Sequence, residues 1–288
     1  AQEQLIKRFA LVSSLITFVL SAVLLFQFDF SSADKLQLGN KISWIKSINA
    51  NYEIGIDGIS LPLLVLSTFI TVLAIIYSIE HLPEPKSPKG FLALILVLET
   101  GMNGTFVALD LILFFVFFEI VLLPMYFMIG IWGDKTVRTV SGFKNQIETR
   151  LYASIKFFVF TLFGSAFMLL GFLGLYYRGN KTFSIPELIE LGTSGAFTGT
   201  FATLVFAVLF LGFAVKVPMW PLHTWLPDAH TAAPTVGSVL LAAILLKLGS
   251  YGFVRIAIPI LPDQAKAWAP AIAILSAIGI IYGSLACL

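Results

Sequence analysis

Eight long apolar stretches alternate with shorter polar segments along this chain, at about 9–28, 59–79, 91–109, 111–132, 151–177, 200–231, 234–256 and 268–288. A helix needs roughly 20 mostly apolar residues to cross a bilayer. Within lipid, backbone polar groups must bond inside their own segment or within a closed barrel. Barrel strands alternate apolar and polar positions, whereas these stretches are continuous. The pattern therefore predicts an all-α, polytopic integral membrane bundle, with 1–288 as one transmembrane domain. The first stretch is long enough to span, unlike the short apolar core of a cleavable signal. The sequence runs from Ala1 to Leu288 and stops inside an apolar run, which is expected of part of a longer protein.

The polar segments set sidedness. Residues 29–58 carry Asp29, Lys35, Lys41, Lys46, Glu53 and Asp57 and are expected outside the membrane. Residues 133–150 are basic, with Lys135, Arg138, Lys144 and Arg150 against Asp134 and Glu148. If each stretch crosses once, this loop shares a side with Lys7, Arg8, Lys86 and Lys89. The other side carries Lys35, Lys41, Lys46, Arg178 and Lys181. The excess places the Lys7 end in the cytoplasm. Between 178 and 199, Ser184-Ile185-Pro186-Glu187 has the form of a capping box, predicting a short surface helix with Ser184 as N-cap. No short internal repeat is visible.

Composition sharpens this picture. Hydrophobic residues make up 58% and charged residues only 12%, about half the share in soluble domains. The mean hydropathy is +0.93. The net charge of +2 comes from scattered basic residues, which gives no footprint for a nucleic-acid partner. The single cysteine, Cys287, allows no intrachain disulfide and no cysteine metal site.

Four ionisable residues fall well inside the apolar stretches: Glu99, Glu119, Lys216 and Lys247. Each costs about 2.5–3.5 kcal/mol on insertion scales, so such groups face a wet cavity or a partner. Glu119 has no polar neighbour in sequence, and Pro124 cannot donate to the carbonyl of Ile120. A kink with a free carbonyl is expected beside it. The competing reading is a structural buried ion pair. Lys216 precedes Pro218 and Pro221, which release the carbonyls of Ala214 and Val217, so the helix is expected to break near 216–221. Broken helices at membrane depth point to ion sites, although a lysine at a helix end also snorkels. Lys247 lies far from either end of its run, where burial lowers a lysine pKa and a carboxylate raises it. Glu99 is followed by Thr100, Gly101, Asn103 and Gly104, a polar face that serves either chemistry or packing. Lys156, one turn inside its run, is expected to snorkel. His223 and His230 are seven residues apart, which is not metal-ligand spacing. His223 is a candidate proton relay, with a hydrogen-bonded helix-end histidine as the alternative.

Residues 216–255, from Lys-Val-Pro-Met-Trp-Pro-Leu-His-Thr-Trp-Leu-Pro-Asp-Ala-His to Leu-Leu-Lys-Leu-Gly-Ser-Tyr-Gly-Phe-Val-Arg, resemble the antiporter-like subunits of respiratory complex I. So do Phe118-Glu119 through Pro124-Met125-Tyr126 and Gly55-Ile56-Asp57-Gly58-Ile59-Ser60. The His-Thr-Trp-Leu-Pro-Asp-Ala-His form resembles the family's M type. The resemblance spans nearly the whole chain and implies about fourteen helices in two inverted five-helix repeats, of which this chain holds the second through ninth. It implies that Glu119 is the essential glutamate, Lys216 the broken-helix lysine and Lys247 the central lysine; its position near the bilayer centre makes Lys247 the lysine expected to switch protons across the subunit. Glu119 and Lys216 are expected to approach as an ion pair or through one water. The family's charged residue on the twelfth helix would lie beyond Leu288, so the chain by itself is not expected to pump. Flavin, iron–sulfur clusters and quinone are implied in partner subunits, with no cofactor or metal here. The implied partners are the other membrane and peripheral subunits, in a bacterial plasma membrane. The alternative is a large subunit of a multisubunit sodium/proton antiporter.

Overall fold

The computed structural model describes residues 2–138 and 147–286. Lys144, Cys287 and Leu288 lie outside the described residues. Among the described residues, eight helical segments are long and apolar enough to cross a membrane. The first three are α1 (Gln2–Gln27), α2 (Ser60–Glu80) and α3 (Pro88–Val107). The fourth crossing, Leu111–Trp132, divides into α4 (Leu111–Ile120) and α5 (Leu122–Trp132). Then come α6 (Thr149–Arg178) and, after a short surface helix α7 (Ile185–Thr193), α8 (Gly199–Lys216). A short helix α9 (Trp225–Ala232) follows a non-helical turn. The seventh crossing, Thr235–Ile260, consists of α10 (Thr235–Leu240), α11 (Leu246–Gly252) and α12 (Ile258–Ile260). Two π-helical stretches, Leu241–Leu245 and Phe253–Ala257, join them. The last is α13 (Pro262–Ala286).

The all-α membrane bundle is as expected, with one small addition outside the spans. Residues 37–56 form an antiparallel hairpin of β1 (Gln37–Ile45) and β2 (Ala50–Ile56), with Gln37 opposite Ile56 and Ile42 opposite Tyr52. Alternation of Ala50, Tyr52, Ile54 and Ile56 with Asn51, Glu53 and Gly55 is the strand period, but too short a run to stand out beside the helices. Asn49, at φ 53°, makes the left-handed turn, which asparagine tolerates better than most residues. A minimal pair, β3 (Val137–Arg138) and β4 (Ile147–Glu148), flanks the opposite loop.

The hairpin is bound into the end of the bundle. The connector between α3 and α4 is only three residues, 108–110, and it bonds on both sides. Leu109 N–H donates to Glu53 O at 2.8 Å, and Ile185 N–H donates to Leu109 O at 2.7 Å. Leu111 N–H donates to Phe183 O at 2.9 Å. Asp110 is fully buried; its carboxylate accepts the N–H groups of Ile112, Leu113 and Asn51. One side chain thus caps α4 and holds β2. Burial raises its pKa against the pull of these bonds.

Helix α7 starts after Ser184 as expected, but the reciprocal cap is not formed. Ser184 makes no side-chain bond to the helix N–H groups. Glu187 turns instead to Lys41 Nζ at 2.8 Å and Thr182 Oγ1 at 2.6 Å. A charged partner at close range outcompetes a single backbone N–H. In the core, α6 and α8 cross closely. A Cβ on Gly164 would lie 3.2 Å from Gly212 O and 2.9 Å from Val215 Cβ, so the small residues permit the approach.

Candidate functional site

Glu119 stands two residues before Val121, where the α-helical hydrogen-bond pattern lapses between α4 and α5 for a single position while the backbone stays in the right-handed region (φ -69°, ψ -19°). With no N–H on Pro124, the carbonyl of Ile120 loses its intrahelical donor. The Glu119 carboxylate faces Ser165 of α6, yet Oε1 is buried without a hydrogen-bond partner. Its neighbour Phe118 turns into the core against Phe114 and Phe213.

Lys216 is the last residue of α8 and only 3% exposed. The chain then turns through 217–224 before α9 begins. The carbonyls near the break find unusual donors: Met219 N–H reaches Ala214 O at 2.9 Å, and the Trp225 indole N–H reaches Val215 O at 3.0 Å. The break is thereby satisfied within protein, as irregular backbone at membrane depth requires. The Lys216 ammonium has no hydrogen-bond partner and rests over the Phe118 ring, 4.8 Å from its centroid.

Of the two arrangements expected for Glu119 and Lys216, the direct ion pair is not formed, and each keeps a buried polar atom without a hydrogen-bond partner, as an approach through one water would leave them. The Phe118 ring takes the near position against the ammonium, a cation–π contact. A correction concerns Lys247, expected to be buried. It is exposed on the surface formed by the described residues, and its ammonium bonds Ala242 O at 2.5 Å. The π-helical stretch before it changes the backbone pairing there. Its helix nonetheless lies on the break: a Cβ on Gly249 would come within 3.0 Å of Lys216 Cβ and 2.8 Å of Val217 Cγ2.

His223 lies in the turn, with Nδ1 buried and unpartnered and its ring edge-on to Tyr282 at 5.1 Å. Glu99 is 4% exposed on α3, its Oε1 unpartnered, and it belongs to a separate cleft. Lys156 does not simply snorkel. Its ammonium is 2.8 Å from Asp228 Oδ2, tying α6 to α9.

A further group does not stand out in the sequence. Arg255 Nη2 lies 2.6 Å from Asp57 Oδ1, and its Nε donates to Tyr251 Oη at 2.9 Å. The Tyr251 hydroxyl in turn donates to Phe106 O at 2.8 Å. Asp57 also accepts the N–H groups of Ile59 and Ser60 at the start of α2. Burial pushes its carboxyl up, but Arg255 and these N–H groups outweigh that and hold it below the usual 3.8. The available signal is an arginine inside the seventh apolar run with one acid at the mouth of the second. Nothing in the linear order links them.

Comparison with known proteins places these features in context. Residues 108–288 match the family described as NADH:quinone oxidoreductase/Mrp antiporter, TM, and residues 2–105 match NADH-ubiquinone oxidoreductase chain 4, amino terminus. NADH-quinone oxidoreductase subunit M of Rickettsia bellii is 41% identical over 97% of this chain and 53% of its own length. NADH-ubiquinone oxidoreductase chain 4 of Arabidopsis thaliana is 42% identical over 98% of this chain and 53% of its own length. The chain thus spans about half the length of these curated relatives. A chain of respiratory complex I from Thermus thermophilus superposes with a TM-score of 0.80 and 26% identity, covering 96% of this chain and 54% of that one. A chain of the Mrp complex from Dietzia sp. shares the fold at a TM-score of 0.70 and 18% identity, covering 90% of this chain and 28% of that one.

Proposed function

The chain belongs to the membrane family of NADH:quinone oxidoreductase and Mrp antiporter subunits, and we propose that it is the proton-translocating part of an M-type subunit of complex I. The observation that carries this reading is Lys216: a buried, unpartnered ammonium at a helix break beside a glutamate that is itself incompletely bonded. A structural charge would be paired; a cation left unpaired at several kcal/mol of cost indicates use. Protons pass by way of Glu119, Lys216 and Lys247, with His223 as a relay at the turn. Opening and closing the distance between Glu119 and Lys216 changes the field at Lys247, where about 1.4 kcal/mol alters proton affinity tenfold. The surface position of Lys247 leaves it free to exchange a proton with groups outside the described bundle.

Flavin, iron–sulfur clusters and quinone then belong to partner subunits, and the Lys7 end faces the cytoplasm of a bacterial plasma membrane. Relatives near 41% identity carry complex I names, against 18% for the Mrp chain, which favours this reading over a sodium/proton antiporter subunit. The test uses the complete subunit in its assembled complex. Glu119→Gln and Lys247→Ala depress proton pumping and coupled quinone reduction, and Lys247→Arg does so as well because arginine keeps its proton. NADH oxidation by an artificial acceptor survives all three. Full pumping with Lys247→Ala in an assembled complex would show that this lysine is only structural.

A further inference from the structure

A large cleft of the described bundle does not adjoin Lys216. It is a cleft of about 660 Å³ among α1, α2 and α3, with the Phe117 ring of α4 as one wall. Its polar lining follows the helices. Ser13, Thr17 and Ser21 recur every four residues on α1 and so share a face. Opposite them are Thr68 of α2 and Glu99, Thr100 and Asn103 of α3. The Ser21 and Thr68 hydroxyls bond at 2.7 Å. Along α1 the lining extends from Ser13 to Gln27, roughly 21 Å at 1.5 Å per residue. Its far end, at Gln27, Tyr52 and Val107, abuts the β1–β2 hairpin.

Two buried polar atoms beside this cleft have no partner: Glu99 Oε1 and Asn103 Oδ1. Glu99 is more than nine-tenths buried, and no cation forms an ion pair with it among the described residues. Buried polar atoms of this kind are satisfied by water where the space is polar and roomy enough. A cleft of this volume is roomy enough for several waters, and hydroxyls recur along α1 at successive turns. The Phe117 ring lies flat against Gly104, where a Cβ would meet it at 2.3 Å. It closes the cleft off from the α4 face that leads to Glu119.

We infer that Glu99 is the inner end of a hydrated half-channel that opens on the hairpin side of the membrane, a protonation site separate from Glu119. A hydronium ion entering past Gln27 and Tyr52 passes its proton to the Glu99 carboxylate and leaves as water. The Ser21–Thr68 bridge and Asn103 hold the intervening waters. This inference extends the proton-pathway reading, yet its test does not require pumping.

The test is sided labelling of the complete subunit in native membranes, in a background from which Cys287 and any other native cysteine of the subunit have been replaced. Cysteines are introduced singly at Thr17 and Asn103, at lipid-facing Val12 as a dry control, and at Ser43 in the hairpin to define the side. An impermeant cationic methanethiosulfonate is expected to label Thr17→Cys and Asn103→Cys from the Ser43 side only, and to leave Val12→Cys unlabelled. Glu99→Gln should slow the cationic reagent at Asn103→Cys roughly fivefold relative to a neutral one, the effect of one nearby charge in water. Labelling from the Lys7 side, or none from either side because lipid or a neighbouring helix fills the cleft, overturns the inference. Failure of the pumping mutants with sided labelling intact would refute the functional reading and leave this one standing.

Discussion

Arg255 and Lys216 are both cations inside apolar helices, and the protein treats them oppositely. Arg255 has a carboxylate at 2.6 Å, a phenol oxygen at 2.9 Å, and a tyrosine anchored in turn to the Phe106 carbonyl. Lys216 has an aromatic face and no hydrogen-bond partner. Both positions carry the desolvation cost of a buried charge, but only Arg255 has partners that offset it. Arginine suits the fixed role because its fork stays charged and bonds in two directions; lysine releases its proton more readily when buried. A counter-charge in contact separates a charge that holds the structure from one that is free to change.

The sharpest way to break this comparison is a double-mutant cycle on the anchored pair. Arg255→Ala or Asp57→Ala alone leaves one buried charge uncompensated and should cost about 3–5 kcal/mol, read as lost assembly or a lower Tm of the purified complex. The double substitution should recover much of that. If each single change is silent, Arg255 is not an anchor. Lys216→Met is predicted to behave in the opposite sense: stability holds or rises, while proton translocation falls by roughly 10²-fold. A Tm that drops as for Arg255→Ala would make Lys216 structural too. Phe118→Leu should then remove a cation–π contact of about 0.5–2 kcal/mol, with a moderate change in turnover that Phe118→Tyr restores. The mildest effect concerns acid. The folded pKa of Asp57 is depressed, so its stabilisation is fully present above the ordinary carboxylate range. It is lost as pH falls through the folded value. Thermal unfolding measured toward low pH should flatten in Asp57→Asn, and an unchanged acid slope would remove Asp57 from the account.

Much of this was legible in the chain. Continuous apolar runs mark the helices because each crossing needs a minimum length, and two prolines announce the break after Lys216. The hairpin was not legible, since seven alternating residues carry little weight beside runs three times as long. The partner of each charge is hidden for a different reason. Asp57 and Arg255 are separated by most of the chain, and Lys156 and Asp228 by two helices, while periodicity describes one helix at a time. Phe118 looks in sequence like ordinary core filling around Glu119, although it is the group that faces the ammonium. The exposure of Lys247 depends on how its helix is rotated by π-helical turns, which composition does not encode.

The three-residue connector 108–110 has a mechanical meaning. It is laced by backbone bonds to the hairpin on one flank and to the start of α7 on the other, with the Asp110 carboxylate as a further tie. That end of the bundle works as a clamp: α3 and α4 leave it at nearly fixed spacing, and α7 is held to the same block. Beyond the clamp, the helical course is interrupted at Val121 and across 217–224. Those two interruptions adjoin Glu119 and Lys216, so these two charges sit at breaks in their helices and away from the clamped end.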